Sequence, residues 1–232
     1  MMRLGAILLC IAAVIAFLLS PVFDISRVEV TGNSYYSDEE VVNMSGVQKG
    51  VNLFLHPQKR QIKAALETNP YFSKIKVHRR LPSTLRIDVT ERKQVAAVKY
   101  GNSYVVISGS GLVLRTTKID PKLTILTGLT LSRIRVGRKI TAVEKQTLEK
   151  TLEMVNVMDR GDLYFKKIKM SDRYIDAYIY DTLIVRGTPS QMKEEIEKGN
   201  LQKVVNKLYK NGTRRGTISL GDHNYISFSP AF

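Results

Sequence analysis

The sequence has one cysteine, Cys10, and it lies inside an apolar run. Without a second thiol there is no disulfide framework, so any core the chain builds is held by burial alone. A lone thiol among aliphatic residues fills space rather than reacts. Histidine is nearly as scarce: His56, His78 and His223 fall in separate segments, without the spacing that gathers metal ligands. Gly109-Ser110-Gly111 lacks the outer glycines of a nucleophile elbow and reads as a tight turn. Gly137-Arg138-Lys139 lacks the preceding glycine and following Ser or Thr of a phosphate-binding loop. Carboxylates are thin in the second half, and no pair there suits acid–base work. These absences leave no catalytic residue, metal site or cofactor to propose, and the expectation is a protein that is not an enzyme. Internal repeats are absent too.

What is present begins with an aliphatic stretch. No charged residue occurs between Arg3 and Asp24, and Leu4 to Leu19 is almost purely aliphatic. Roughly 20 residues of helix cross a hydrocarbon core of about 30 Å. A cleaved signal peptide has a shorter apolar region followed by small residues; here the run ends in Ser20-Pro21-Val22-Phe23. The expectation is a retained transmembrane helix over residues 4–23, with residues 1–3 as a short head. Arg3 and Arg27 flank the run on opposite sides, so charge alone does not orient it.

The chain beyond it is α+β. Val28 and Val30 alternate with Arg27 and Glu29 as in a half-buried strand. Ser37-Asp38-Glu39-Glu40 opens a helix with a capping box, and Gly46 and Gly50 mark its exit. A second helix is expected from Pro57 to Thr68, followed by alternating strands about Ile75 and Val77 and about Leu85, Ile87 and Val89. Leu81-Pro82-Ser83 makes the turn between them. The order β-α-α-β-β over residues 24–93 lets two helices cover one face of a three-stranded sheet. Residues 94–229 read as a second α+β domain with a largely antiparallel sheet, leaving 230–232 as a tail. Its expected helices run from Ala142 to Asp159 and from Ser190 to Lys210. Its last hairpin pairs Thr217–Leu220 with Tyr225–Phe228 around Gly221-Asp222-His223-Asn224.

With 36 Lys and Arg against 21 Asp and Glu, the formal net charge is +15. Such a surplus favours nucleic acid, anionic lipid or an anionic wall polymer. Lys74, Lys76, His78, Arg79 and Arg80 read as a basic strand face beside Tyr71 and Phe72. This superficially suits a nucleic-acid platform, which an exported domain would not meet, so no nucleic-acid partner is expected. Near a bilayer the same face would meet anionic lipid; a merely solvated face is the plainer alternative. Lys74, Lys76 and Arg79 are its candidate contacts.

One stretch carries a family resemblance. Arg80-Leu81-Pro82-Ser83-Thr84-Leu85-Arg86-Ile87-Asp88-Val89-Thr90-Glu91-Arg92-Lys93-Gln94-Val95-Ala96 resembles the end of the POTRA domain in the bacterial cell-division family FtsQ/DivIB. Val28-Glu29-Val30-Thr31-Gly32-Asn33, Asn69-Pro70-Tyr71-Phe72, Leu126-Thr127-Gly128-Leu129 and Val185-Arg186-Gly187 are similar to other family elements. Leu81 and Gln94 stand where the family commonly has an aromatic and a proline. Ile218-Ser219-Leu220-Gly221-Asp222 lacks the family's usual closing run. The resemblance implies a single-pass cell-membrane protein, its N-terminus cytoplasmic and its domains extracytoplasmic. It also implies a division scaffold that binds small coiled-coil proteins of the FtsL and FtsB/DivIC type and helps position septal peptidoglycan synthases. For such a partner the final strand offers an edge for β-augmentation, with Ile218, Leu220, Tyr225, Ser227 and Phe228 as candidate contacts. The alternative is that this strand simply completes its own sheet. An alternative function is a membrane-tethered module binding anionic wall polymer or lipid.

Overall fold

A computed structural model describes residues 2–55, 59–158, 163–221 and 225–231. The chain divides into two compact units, Met1–Arg92 and Lys93–Phe232. His56, Pro57, Asp159 and the Asp222-His223-Asn224 turn lie outside the described residues.

In the first unit, helix α1 covers Met2–Leu18, 17 residues. It stops short of the expected 4–23 because Pro21 has no N–H to donate and bars helical geometry at Ser20. Pro21–Phe23 instead forms a single 3-10 turn, with the Ser20 hydroxyl accepting the Val22 N–H. At about 1.5 Å per residue α1 is about 25 Å long. Among the described residues no helix is long and apolar enough to cross a membrane.

Strand β1 (Arg27–Thr31), helices α2 (Asp38–Ser45) and α3 (Lys59–Glu67), and strands β2 (Phe72–Arg80) and β3 (Thr84–Glu91) follow. The Ser37–Glu40 capping box forms as the sequence predicts, and Gly46 ends α2 in the left-handed conformation. The strands lie in the order β1-β3-β2, with β1 parallel to β3 and β2 antiparallel to it. Apolar alternation buries Leu85, Ile87 and Val89 against Val41 of α2 and Ile62 and Leu66 of α3 in one core. The opposite face of this sheet is polar.

The second unit contains β4 (Gln94–Tyr100), β5 (Ser103–Ser108), β6 (Val113–Thr117), β7 (Thr124–Thr127), α4 (Lys145–Met158) and β8 (Lys167–Met170). Then come β9 (Ile175–Tyr178), β10 (Leu183–Gly187), α5 (Pro189–Glu197), α6 (Asn200–Lys210), β11 (Gly216–Leu220) and β12 (Ile226–Ser229). They build one nine-stranded sheet in the order β12-β11-β10-β9-β8-β7-β4-β5-β6. The sheet is mixed rather than largely antiparallel: β4–β7, β7–β8 and β10–β11 pair in parallel. Parallel neighbours need a crossover; α4 supplies it between β7 and β8, and α5 with α6 supplies it between β10 and β11. The single helix expected over Ser190–Lys210 is two, because Gly199 takes φ 70° and breaks the ladder. Phe165, Leu126, Ile168, Val185, Met154, Met192 and Ile218 are fully buried between the helices and one sheet face.

Candidate functional site

The two ends of the nine-stranded sheet differ. At the β6 end a strap formed by residues 137–140 adds to the edge. Gly137 donates its N–H to the Val113 carbonyl, Val113 to Arg138, and Ile140 to Gly111, at 2.8 to 2.9 Å. At the other end β12 pairs only with β11. Gly221 donates its N–H to the Tyr225 carbonyl at 2.8 Å, which sets the phase of the ladder. Tyr225, Ser227 and Ser229 turn their backbone groups toward β11, and the alternation aims those of Ile226 and Phe228 outward. That row of unspent donors and acceptors is what an added strand needs.

The candidate residues of the last hairpin separate by position. Ile218 and Leu220 are buried core residues of β11, so their side chains do not reach the edge. Phe228 and Ile226 are half-buried and pack against the same core. Tyr225, 66% exposed, and half-buried Ser227 lie on the opposite face. Across that face the register aligns Ser227 and Ser219 with Arg186, Asp176 and Lys169. Arg186 holds Asp176 through two hydrogen bonds of 2.7 and 3.1 Å, which raises the guanidinium pKa. Lys167 lies 4.0 Å from the Tyr178 ring centre. The edge is thus apolar toward the helices and hydroxyl-lined, then charged, on the open face.

The basic strand of the first unit is not one face. Lys74, Lys76, His78 and Arg80 register with Thr90, Asp88, Arg86 and Thr84 on the polar side of the sheet. Arg79 pairs with Leu85 and points to the other side, where its Nη2 donates to the Phe54 carbonyl at 3.3 Å. The two-residue period of the strand thus separates Arg79 from Lys74 and Lys76, contrary to their expected grouping. Asp88 sits amid the polar side, accepting hydrogen bonds from the Thr31 hydroxyl and from Arg86 Nε, with His78 at 3.5 Å. Thr31 and then Arg86 hold its carboxyl below the usual carboxylate range. Tyr71 and Phe72 are buried and pack against Tyr36, so they offer no surface for stacking bases.

Sequence reasoning missed what the motif residues do together. The Glu91 carboxylate accepts N–H bonds from Ser34, Tyr35 and Tyr36 at 2.8, 2.6 and 3.2 Å. Arg92 Nη1 donates to the carbonyls of Pro70 and Phe72, each at 2.6 Å. Asn33 bridges to the Tyr36 carbonyl and to Asp38, and Asn69 accepts the Tyr71 N–H. Gly32, at φ 83°, leaves no room for a Cβ, which would meet the Val89 carbonyl oxygen at 2.0 Å. Gly-Asn, Asn-Pro-Tyr-Phe and Glu-Arg are therefore three parts of one clamp at the end of β3. Their conjunction in the sequence was the available signal.

A helix pair over one face of a β1-β3-β2 sheet, closed by this clamp, defines a POTRA domain: residues 23–92 match the family described as POTRA domain, FtsQ-type. The chain is 24% identical over 186 residues to the cell division protein DivIB of Clostridium acetobutylicum, covering 77% of this chain and 72% of that one. It is 22% identical over 214 residues to DivIB of Bacillus subtilis, covering 92% and 77%. It is 27% identical over 156 residues to the cell division protein FtsQ of Geotalea daltonii, covering 66% and 54%. Among solved structures it is similar to the major extracytoplasmic domain of DivIB from Geobacillus stearothermophilus. That likeness has a TM-score of 0.34 and 15% identity, over 53% of this chain and 98% of that one. The chain belongs to the FtsQ/DivIB family of bacterial cell-division proteins.

Proposed function

We propose that this protein is a non-enzymatic scaffold of the division complex, tethered to the cell membrane, whose second domain captures a partner segment as an added strand on β12. The observation that carries the reading is the outward row of backbone groups on Ile226 and Phe228, at the one sheet end that no strap covers among the described residues. Main-chain pairing supplies affinity, and the contrast between the apolar helix side and the hydroxyl-lined open side supplies register. The partners implied by the family resemblance are membrane proteins of the FtsL and FtsB/DivIC type, with septal peptidoglycan synthases recruited through them. The tether is α1 together with the apolar turn after it, N-terminus cytoplasmic and both domains extracytoplasmic.

The test is co-purification of the full-length protein from membranes. Ile226→Pro removes an outward N–H, and Tyr225→Lys places a charge beside the edge; both should abolish partner recovery while the thermal transition persists. Unchanged recovery in both variants would sink the strand-addition reading. A second reading, adhesion to anionic wall polymer, is favoured by Lys74 and Lys76 standing exposed on the polar sheet face. Charge reversal at those two lysines, with loss of wall association but intact partner recovery, would select it.

A further inference from the structure

The end of the POTRA domain next to α1 exposes more aliphatic surface than the rest of that domain's shell. Val22, Leu55 and Leu81 are 57%, 58% and 65% exposed. They lie far apart in sequence but are drawn to one end by the fold. Phe23 packs edge-on between Phe17 of α1 and Phe54, with ring centres 5.2 Å apart on both sides. Asn52 donates to the Leu18 carbonyl at 2.9 Å, and Leu53 donates its N–H to Phe23 at 2.8 Å. The Leu81-Pro82-Ser83 turn is joined to Ser26 through both the Ser83 hydroxyl and its carbonyl. Arg79, bonded to the Phe54 carbonyl, and Arg80 and Arg27, both largely exposed, stand at this same end. The pieces therefore form one surface: aliphatic side chains rimmed by guanidinium groups, continuous with the foot of an apolar helix.

We propose that this surface rests on the bilayer, with Val22, Leu55 and Leu81 in the headgroup–acyl boundary and the arginines on lipid phosphates. The inference rests on the tether reading above. Two physical arguments commit the face to lipid. First, α1 ends at Leu18, and its length of about 25 Å is less than a hydrocarbon core of about 30 Å. A short span is met by drawing its flanks toward the membrane, and the flank here is this face. Second, the Phe17–Phe23–Phe54 stack and the Asn52 bond replace a flexible linker, so the domain cannot lift away freely from the foot of its own helix. Arginines whose stems cover apolar surface while their heads reach phosphate suit that depth. Lys74, at the far end of β2, is about 20 Å away at 3.3 Å per residue and stays in water.

The test uses the full chain in nanodiscs of phosphatidylglycerol and phosphatidylcholine. Single cysteines are placed in a Cys10→Ser background by Leu55→Cys, Leu81→Cys, Lys74→Cys and Val14→Cys, and each is labelled with an environment-sensitive fluorophore. Labels at 55 and 81 should be quenched by shallow doxyl lipid, and the label at 74 should not. Arg80→Glu, or all-phosphatidylcholine discs, should lower the docked population by about fivefold for each arginine–phosphate pair removed. If positions 55 and 81 respond like 74 while the label at 14 is quenched, the tether stands and the docking face is wrong. If the label at 14 is not quenched either, the tether fails and the docking face falls with it.

Discussion

At the scale of single residues, the family-like motifs are structural before they are functional. Glu91 satisfies three consecutive N–H groups that face a turn instead of a helix or strand. Replacing it with Ala should cost about 1–3 kcal/mol of stability, read as a lower thermal midpoint of the POTRA domain, with Glu91→Gln intermediate. Asp88 gives a pH signature. Its carboxyl is held below the usual range by Thr31 and Arg86, so the folded form binds a proton less readily than the unfolded chain. The stability this contributes is fully present above the unfolded value of about 4 and is lost as pH falls through the folded one. Asp88→Asn should therefore destabilise the protein at neutral pH and converge with the parent in strong acid. Urea titrations between neutral pH and about pH 2 would check this; a constant difference throughout would refute it. Gly128, at φ 80°, leaves a built Cβ only 2.3 Å from the Met170 carbonyl oxygen. Gly128→Ala should destabilise the second unit severely, which explains the Leu-Thr-Gly-Leu element without invoking a partner.

At the scale of elements, the decisive one is β12. Ile226→Pro should block an added strand yet spare the β11–β12 bonds, since the Ser227 and Ser229 groups face inward. Phe228→Lys is a poorer probe, because Phe228 packs on the core and its loss would confound binding with folding. Much of this level was legible. The period-2 pattern placed β1, β2, β3 and β12, and Ser37 with Glu40 announced α2. The α5–α6 break was written at Gly199, but a continuous apolar stripe masked it. Sheet order was not legible, because the parallel pairings of β7 with β4 and β10 with β11 depend on crossovers that leave no local mark. Arg79 shows how a count of cations along β2 misleads, because only alternate residues share a face. The open edge itself is visible only once the strap at 137–140 is seen on the opposite end.

At the scale of the whole molecule, the net charge of +15 and the open edge make different demands on salt. Strand addition rests on main-chain hydrogen bonds and apolar contact, so partner recovery should survive about 0.5 M salt, where the Debye length falls to a few Å. Adhesion through the basic surface should not survive it. A pull-down run in parallel with vesicle or wall sedimentation at low and high salt separates the two. A reporter fused to the C-terminus should be active only outside the cytoplasm; cytoplasmic activity would remove the scaffold reading, because its partners would be out of reach.

The strap across the start of β6 also sets a valence. A sheet open at both ends could add strands on either side and pass them along as a filament. With the β6 end occupied over Gly111–Val113, growth by strand addition is confined to β12, and one guest saturates it. Two copies meeting through β12 would form a closed pair that excludes the partner. The strap therefore makes this domain a terminator in any strand-built assembly, with one partner segment bound per chain.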